Sequence, residues 1–431
     1  MTEIVENRTA VPQQPLHGAA DVRLHTARVV EEMAVFDMHT HLFPPAFTEL
    51  TRWGIDDLLT YHYLVAELMR AVEMRPEQFR RLTKPAQADL VWDALFVRNT
   101  PLSEATCGVV AVLSALGLDP SAPNLTEARE FFRDVTPSDH VARVFDRARV
   151  GGVVMTNDPF DTREVRVWDE GPELDDRFHT ALRLDTLLND WPEGRKRLIA
   201  AGYAAAAEPD AATAVQARRF IDAWIARMAP LYLAVSLPDD FAWPGDGPRA
   251  LLIRDVVLPA CRDHGLPFAM MIGVRRAVNP ELHDAGDGLG RADVTAVQRM
   301  CAEHPDNRFL VTMLSRENQH ELCVAARKFS NLMPFGCWWF LNNPSIVSEI
   351  TRERLEMLGT SFIAQHSDAR VLEQLLYKWP HARREISLAL ADQYVRVVEN
   401  GRPVTVAEIE RDVGRLLADN FLQWTPSRQS A

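Results

Sequence analysis

The sequence predicts an α/β fold: a distorted (β/α)8 barrel with a large helical insertion after its first strand and further helices at its C-terminal end. Three observations carry that expectation. Short apolar runs of strand length recur eight times along the chain. Stretches with apolar residues at three- and four-residue spacing precede all but the first of them. No run of strand type falls between about residues 45 and 148. Alternating strand and helix implies parallel β/α units, and eight such units suggest a sheet closed on itself.

Taken in order, residues 1–20 are polar and read as a loose tail, and residues 21–431 as one domain. Residues 21–34 predict a short helix leading into VFDMH (35–39), the first strand. The insertion follows, with helical spacing over 55–71, 76–84, 87–99, 103–118 and 126–135. The later strands are expected at VGGVVMTNDP (150–159), ALRLDTLL (181–188), LYLAVSLP (231–238) and PFAMMIGV (267–274). RFLVTML (308–314), LMPFGCWWF (332–340) and SFIAQHSD (361–368) complete the eight. Residues 369–424 are helical again and should pack on the outside or rim of the barrel.

Bulk properties narrow the function classes. The chain has 431 residues, 47% of them hydrophobic and 25% charged, with a formal net charge of −13. That balance suits a globular protein with a large core and argues against a duplex nucleic-acid partner. The five cysteines (Cys107, Cys261, Cys301, Cys323, Cys337) are scattered and form no C-x-x-C, which argues for a reducing compartment and against a thiolate zinc site. There is no apolar leader and no run approaching 18 apolar residues, so the expected location is the cytoplasm, without a membrane partner. On base rates a barrel of this size forms a homo-oligomer.

The chemistry gathers at the strand ends, where barrels of this kind carry their active residues. In VFDMHTHLF, residues two apart share a face of an extended strand, so Asp37, His39 and His41 point the same way. The second strand ends in Asn157 and Asp158; the third carries Arg183 and Asp185. The fifth runs into Arg275 and Arg276, the sixth into Ser315 and Arg316. The seventh carries Trp338 and Trp339, which should point to opposite sides, so that at most one lines a site. The eighth ends His366-Ser367-Asp368-Ala369-Arg370. Two imidazoles, a carboxylate and several guanidiniums around one barrel mouth make a metal site beside an anion site.

These residues resemble one family. A D-x-H-x-H on the first strand and an aspartate closing the eighth resemble the amidohydrolase superfamily. HYLVAELMR (62–70), VVMTNDPFD (153–161), LRLD (182–185), MIGVRRAVN (271–279), FGCWWFLN (335–342) and SDAR (367–370) are similar, in that order, to stretches of its uronate (glucuronate) isomerase branch. The resemblance spans roughly residues 25–424 and suggests a divergent member. It implies a TIM barrel that isomerises a hexuronate between aldose and ketose, of the glucuronate to fructuronate type, through an enediol. It further implies one divalent ion on His39, His41 and Asp368, with zinc first in expectation and manganese second. Asp368 would also handle protons, His62 and Tyr63 would meet substrate hydroxyls, Arg370 would stabilise enediolate charge, and Arg183 would bind the carboxylate. Trp338 and Arg276 are further candidates for substrate contact.

The pattern departs from the family at Met271, where it has a histidine on the fifth strand, and at Tyr61, where it has an aspartate. Tyr394 stands near an expected tryptophan. His366, two residues before Asp368, would face the same side and is a candidate replacement nitrogen ligand. Two other functions stay open: a mononuclear hydrolase, deaminase or lyase of the superfamily acting on a small carboxylate, and a catalytically silent binding paralogue.

Overall fold

A computed structural model describes residues 15–426. Most of the expected tail therefore lies outside the described residues. Seven parallel strands pair in chain order: β1 (Val35–Thr40), β2 (Val150–Asn157), β3 (Phe178–Arg183), β4 (Leu233–Pro238), β5 (Phe268–Arg275), β6 (Phe309–Met313) and β7 (Leu332–Pro334). The eighth segment is not a regular strand, yet it joins both edges. Ile363 bridges Phe335, with Ile363 N–H donating to Pro334 O at 3.1 Å and Gly336 N–H to Ile363 O at 3.0 Å. At its far end Asp368 N–H donates to His39 O at 3.1 Å and His41 N–H to Ala369 O at 2.7 Å.

Most strands are shorter than the apolar runs suggested, and two depart from them most. β3 begins and ends earlier, and Asp185–Asn189 is already helical. β7 stops at Pro334 because Gly336 turns the chain at φ 56° and Trp339 again at φ 48°. The insertion is helical throughout, with no strand among residues 45–148. The helix expected over 55–71 breaks at Thr60 and Tyr61, whose ψ of 141° is extended. That break places His62 in the first turn of α2 (His62–Ala71), facing the barrel mouth.

Small and apolar side chains, among them Met38, Val154, Ala181 and Ala269, fill the barrel interior. Phe421, 1% exposed, packs with them from the C-terminal helical segment. On the outside, α4 (Leu375–Glu399) lies against α1 (Ala19–Glu32) and α3 (Pro344–Leu358). Pro15–Leu16 pairs antiparallel with Val404–Thr405 and clasps the two ends of the described chain. Among the described residues no helix is long and apolar enough to cross a membrane.

Candidate active site

His39 and His41 leave the C-terminal end of β1 on one side, as the two-residue period requires. Asp368 meets them from the closing segment, at a left-handed φ of 50°. Asp368 Oδ1 lies 3.3 Å from His41 Nε2 and 3.7 Å from His39 Nε2. The three ligand atoms all fall within 4.8 Å of one another. His39 Nε2 and Asp368 Oδ1 are buried without a hydrogen-bond partner among the described residues.

The protons can be placed from the neighbours. Tyr232 Oη donates its one hydrogen to Met38 O at 2.7 Å, so it accepts from His39 Nδ1–H at 3.1 Å. Thr156 Oγ1 donates to Thr40 O at 3.0 Å and accepts from His41 Nδ1–H at 2.9 Å. Each hydroxyl spends its hydrogen on the carbonyl just before a histidine, and each fixes the tautomer that leaves Nε2 a bare lone pair. Burial pushes His39 down to about 4 and His41 to about 3, so both rings are neutral near neutral pH. Burial opposes the charge of Asp368, but His41, His39 and the Lys378 ammonium hold its carboxyl below the usual range. Three electron-pair donors thus converge with no hydrogen between them. Two imidazole nitrogens and a carboxylate oxygen in that state fit a divalent cation. Tyr232→Phe and Thr156→Val are each expected to weaken zinc binding about tenfold or more, and chelator competition measures it. Unchanged affinity in both would refute the tautomer assignment.

A cavity of about 220 Å³ opens over this cluster. His62, Arg183, Arg276, Trp338 and Arg370 line it, as does Met271. Arg183 is held as a fork by Asp185, Nε lying 2.9 Å from Oδ2 and Nη2 donating to Oδ1 at 3.0 Å. Arg276 pairs with Asp287, which also accepts from Ala277 N–H at 2.9 Å. Arg370 has no carboxylate partner among the described residues, and its buried Nε has no hydrogen-bond partner. A second, outer cavity of about 530 Å³ shares His62, Arg370 and Asp284 with the inner one.

Other expected residues sit differently. Tyr63 stands behind His62, ring centroids 4.6 Å apart, with its buried hydroxyl making no hydrogen bond among the described residues, and it does not line the cavity. His366 is fully buried edge-on to His39, centroids 5.4 Å apart, and neither of its nitrogens has a hydrogen-bond partner among the described residues. It stands outside the trio of ligand atoms. Both tryptophans line the cavity, contrary to strand alternation, because β7 has ended before them. Asp37 shares the strand but not the ligand group. A register shift between Asp37 and Thr40 breaks the two-residue period, and the Asp37 carboxyl meets the outer helix instead, accepting from Ser367 N–H at 3.1 Å and Trp379 Nε1–H at 2.9 Å. Burial pushes its carboxyl up to about 6.

Tyr232, Thr156, Asp284 and Asp287 were missed from the sequence. Tyr232 had a signal, since it shares its face of the fourth strand with the cavity-lining Ala234 and Ser236.

Beside the mouth, Glu164 accepts from Asn157 Nδ2 and Asp158 N–H, both at 3.1 Å. Burial pushes its carboxyl from 4.5 up to about 8. The folded chain then binds more protons than the unfolded one between those values, so stability falls as pH rises through that window. Glu164→Gln keeps the acceptor and removes the charge. It is expected to change little at pH 5 and to stabilise by on the order of 2–4 kcal/mol at pH 9. Thermal unfolding at the two pH values checks this; an equal effect at both would contradict it.

A scan of family models matches none, and no curated protein matches the chain. Solved structures do. A uronate isomerase from Bacillus halodurans C-125 is 50% identical over 95% of this chain and 97% of its own, with a TM-score of 0.93. A uronate isomerase from Thermotoga maritima (14% identity, 96% and 98% coverage, TM-score 0.76) shares the fold. So does a glucuronate isomerase from Caulobacter crescentus (17% identity, 98% and 99%, TM-score 0.74).

Proposed function

The chain belongs to the uronate isomerase family, and from that premise we propose that it interconverts a hexuronate aldose and its ketose, of the glucuronate to fructuronate type, with one zinc ion on His39, His41 and Asp368. The observation that carries the metal is the convergence of three proton-free donor atoms in one buried corner. Bound there, a divalent ion supplies an electrophile for the substrate's oxygens.

The chain's own residues account for the rest. Moving the carbonyl from C1 to C2 takes a proton from C2 and delivers one to C1. Asp368, ionised and at the cavity floor, is the base. Arg370, without a carboxylate partner among the described residues, meets the negative charge that develops on the enediolate oxygens. Arg183, preorganised by Asp185, takes the substrate carboxylate. His62 contacts hydroxyls from the insertion side, with Tyr63 packed behind it. Trp338 and Arg276 complete the wall, and Met271 contributes an apolar surface.

Proton NMR of the zinc-loaded protein with D-glucuronate, and separately D-galacturonate, in D₂O tests this. Ketose carrying deuterium next to its carbonyl is expected. Neither conversion nor exchange, in a sample shown to hold metal, would move the assignment to another reaction on a small acid, such as hydrolysis.

A further inference from the structure

Asp368 holds a backbone conformation that side chains other than glycine seldom adopt. What sets it is the peptide plane joining Ser367 to Asp368. Its N–H donates to His39 O at 3.1 Å. Its C=O accepts from Lys378 Nζ at 2.7 Å. With both ends held, the plane cannot rotate, and the φ of Asp368 follows. The preceding plane is held as well, because the Asp37 carboxylate takes Ser367 N–H at 3.1 Å.

Lys378 is an unusual residue for this task. It is 3% exposed, and among the described residues its ammonium makes no ion pair with a carboxylate. Burying an ammonium is costly unless its hydrogens are used. A lysine kept there at that cost serves a purpose in place. Its neighbour Trp379 donates to Asp37, so two successive residues of α4 reach the same corner from outside the barrel. Neither touches the cavity.

We propose that Lys378 is a positioning residue: it locks the Ser367–Asp368 peptide plane and so aims the Asp368 carboxylate at His39 and His41. The inference rests on the metal reading of that trio and not on the identity of the substrate. Without the ammonium the Ser367 carbonyl loses its partner, the plane is held at its N–H end alone, and Asp368 relaxes away from the strained geometry.

The test is zinc affinity by chelator competition, with circular dichroism and thermal unfolding of the metal-free protein alongside. Lys378→Met is expected to fold and to bind zinc about tenfold or more weakly, the range for partners that orient a metal ligand. At saturating zinc, turnover should fall while the KM for uronate stays put. Lys378→Arg, which keeps a donor, should recover part of the affinity. A folded Met variant within about twofold of the parent overturns the proposal, as does an Arg variant no better than Met. Should the Met variant fail to fold, Lys378→Arg is compared with Lys378→Gln, whose amide is too short to span to the carbonyl. Equal zinc affinity in that pair overturns the proposal too. Zinc affinity is read without substrate, so failure of the isomerase assignment leaves this result standing.

Discussion

Asp368→Asn is expected to yield a folded protein that turns over hexuronate at less than about a thousandth of the parent rate and binds zinc far more weakly. The change removes a base placed at the reacting carbon, worth roughly 10²–10⁴ in rate. It removes the only anionic donor of the trio as well. Folding should not suffer. An asparagine amide at that position can donate to His41 Nε2 or His39 Nε2, 3.3 and 3.7 Å from the present oxygen. Three mutually facing lone pairs are then replaced by a hydrogen bond. The metal-free melting temperature should therefore hold or rise while activity disappears. Steady-state kinetics with metal analysis would decide it. A variant that kept more than a tenth of parent turnover would remove Asp368 from the chemistry.

Gly336→Ala should be severely damaging, costing more than about 4 kcal/mol and leaving little folded protein. A Cβ there would stand 1.9 Å from His366 Nδ1 and 2.5 Å from its Cε1. The backbone adds its own objection, with φ at 56°. His366 has nowhere to retreat: it is fully buried, 5.4 Å from the His39 ring and 5.3 Å from Phe335. Gly171→Ala is the control. It is left-handed, with φ 69° and ψ 65°, yet a Cβ would meet nothing within 4 Å. It should cost only the conformational term, about 1–2 kcal/mol. Thermal unfolding of the pair separates collision from conformation; equal losses would mean that the His366 contact carries no weight.

His39 and His41 were legible because a strand repeats every two residues and both histidines sit where one ends. Asp368 was legible as the close of the last apolar run. What the chain could not display is how side chains distant in sequence divide their hydrogens. Tyr232 lies 193 residues from His39, and only the folded barrel makes its hydroxyl the arbiter of that ring's tautomer. The alternation rule failed at Trp339 because it holds only while the strand lasts, and Gly336 ends it. His366 was reached by the same rule on a segment that turns at Asp368, and there too local backbone geometry overrode spacing. Asp284 and Asp287 lie on the loop after β5, where neither period nor propensity assigns direction. The helical insertion was read correctly in kind, but its break at Tyr61 depends on packing rather than pattern.

The hydrogen bond from Ser367 to Asp37 spans 330 residues of chain. Read as a schedule of synthesis, that separation is a delay. At ribosomal rates of about 5–20 residues per second, roughly 15–70 s pass between the emergence of the two histidines and that of the carboxylate they await. Throughout that interval the nascent protein owns only two of the three donors of the proposed metal site. A chain cut short before residue 368 would carry most of the barrel and still lack the third donor of that proposed site.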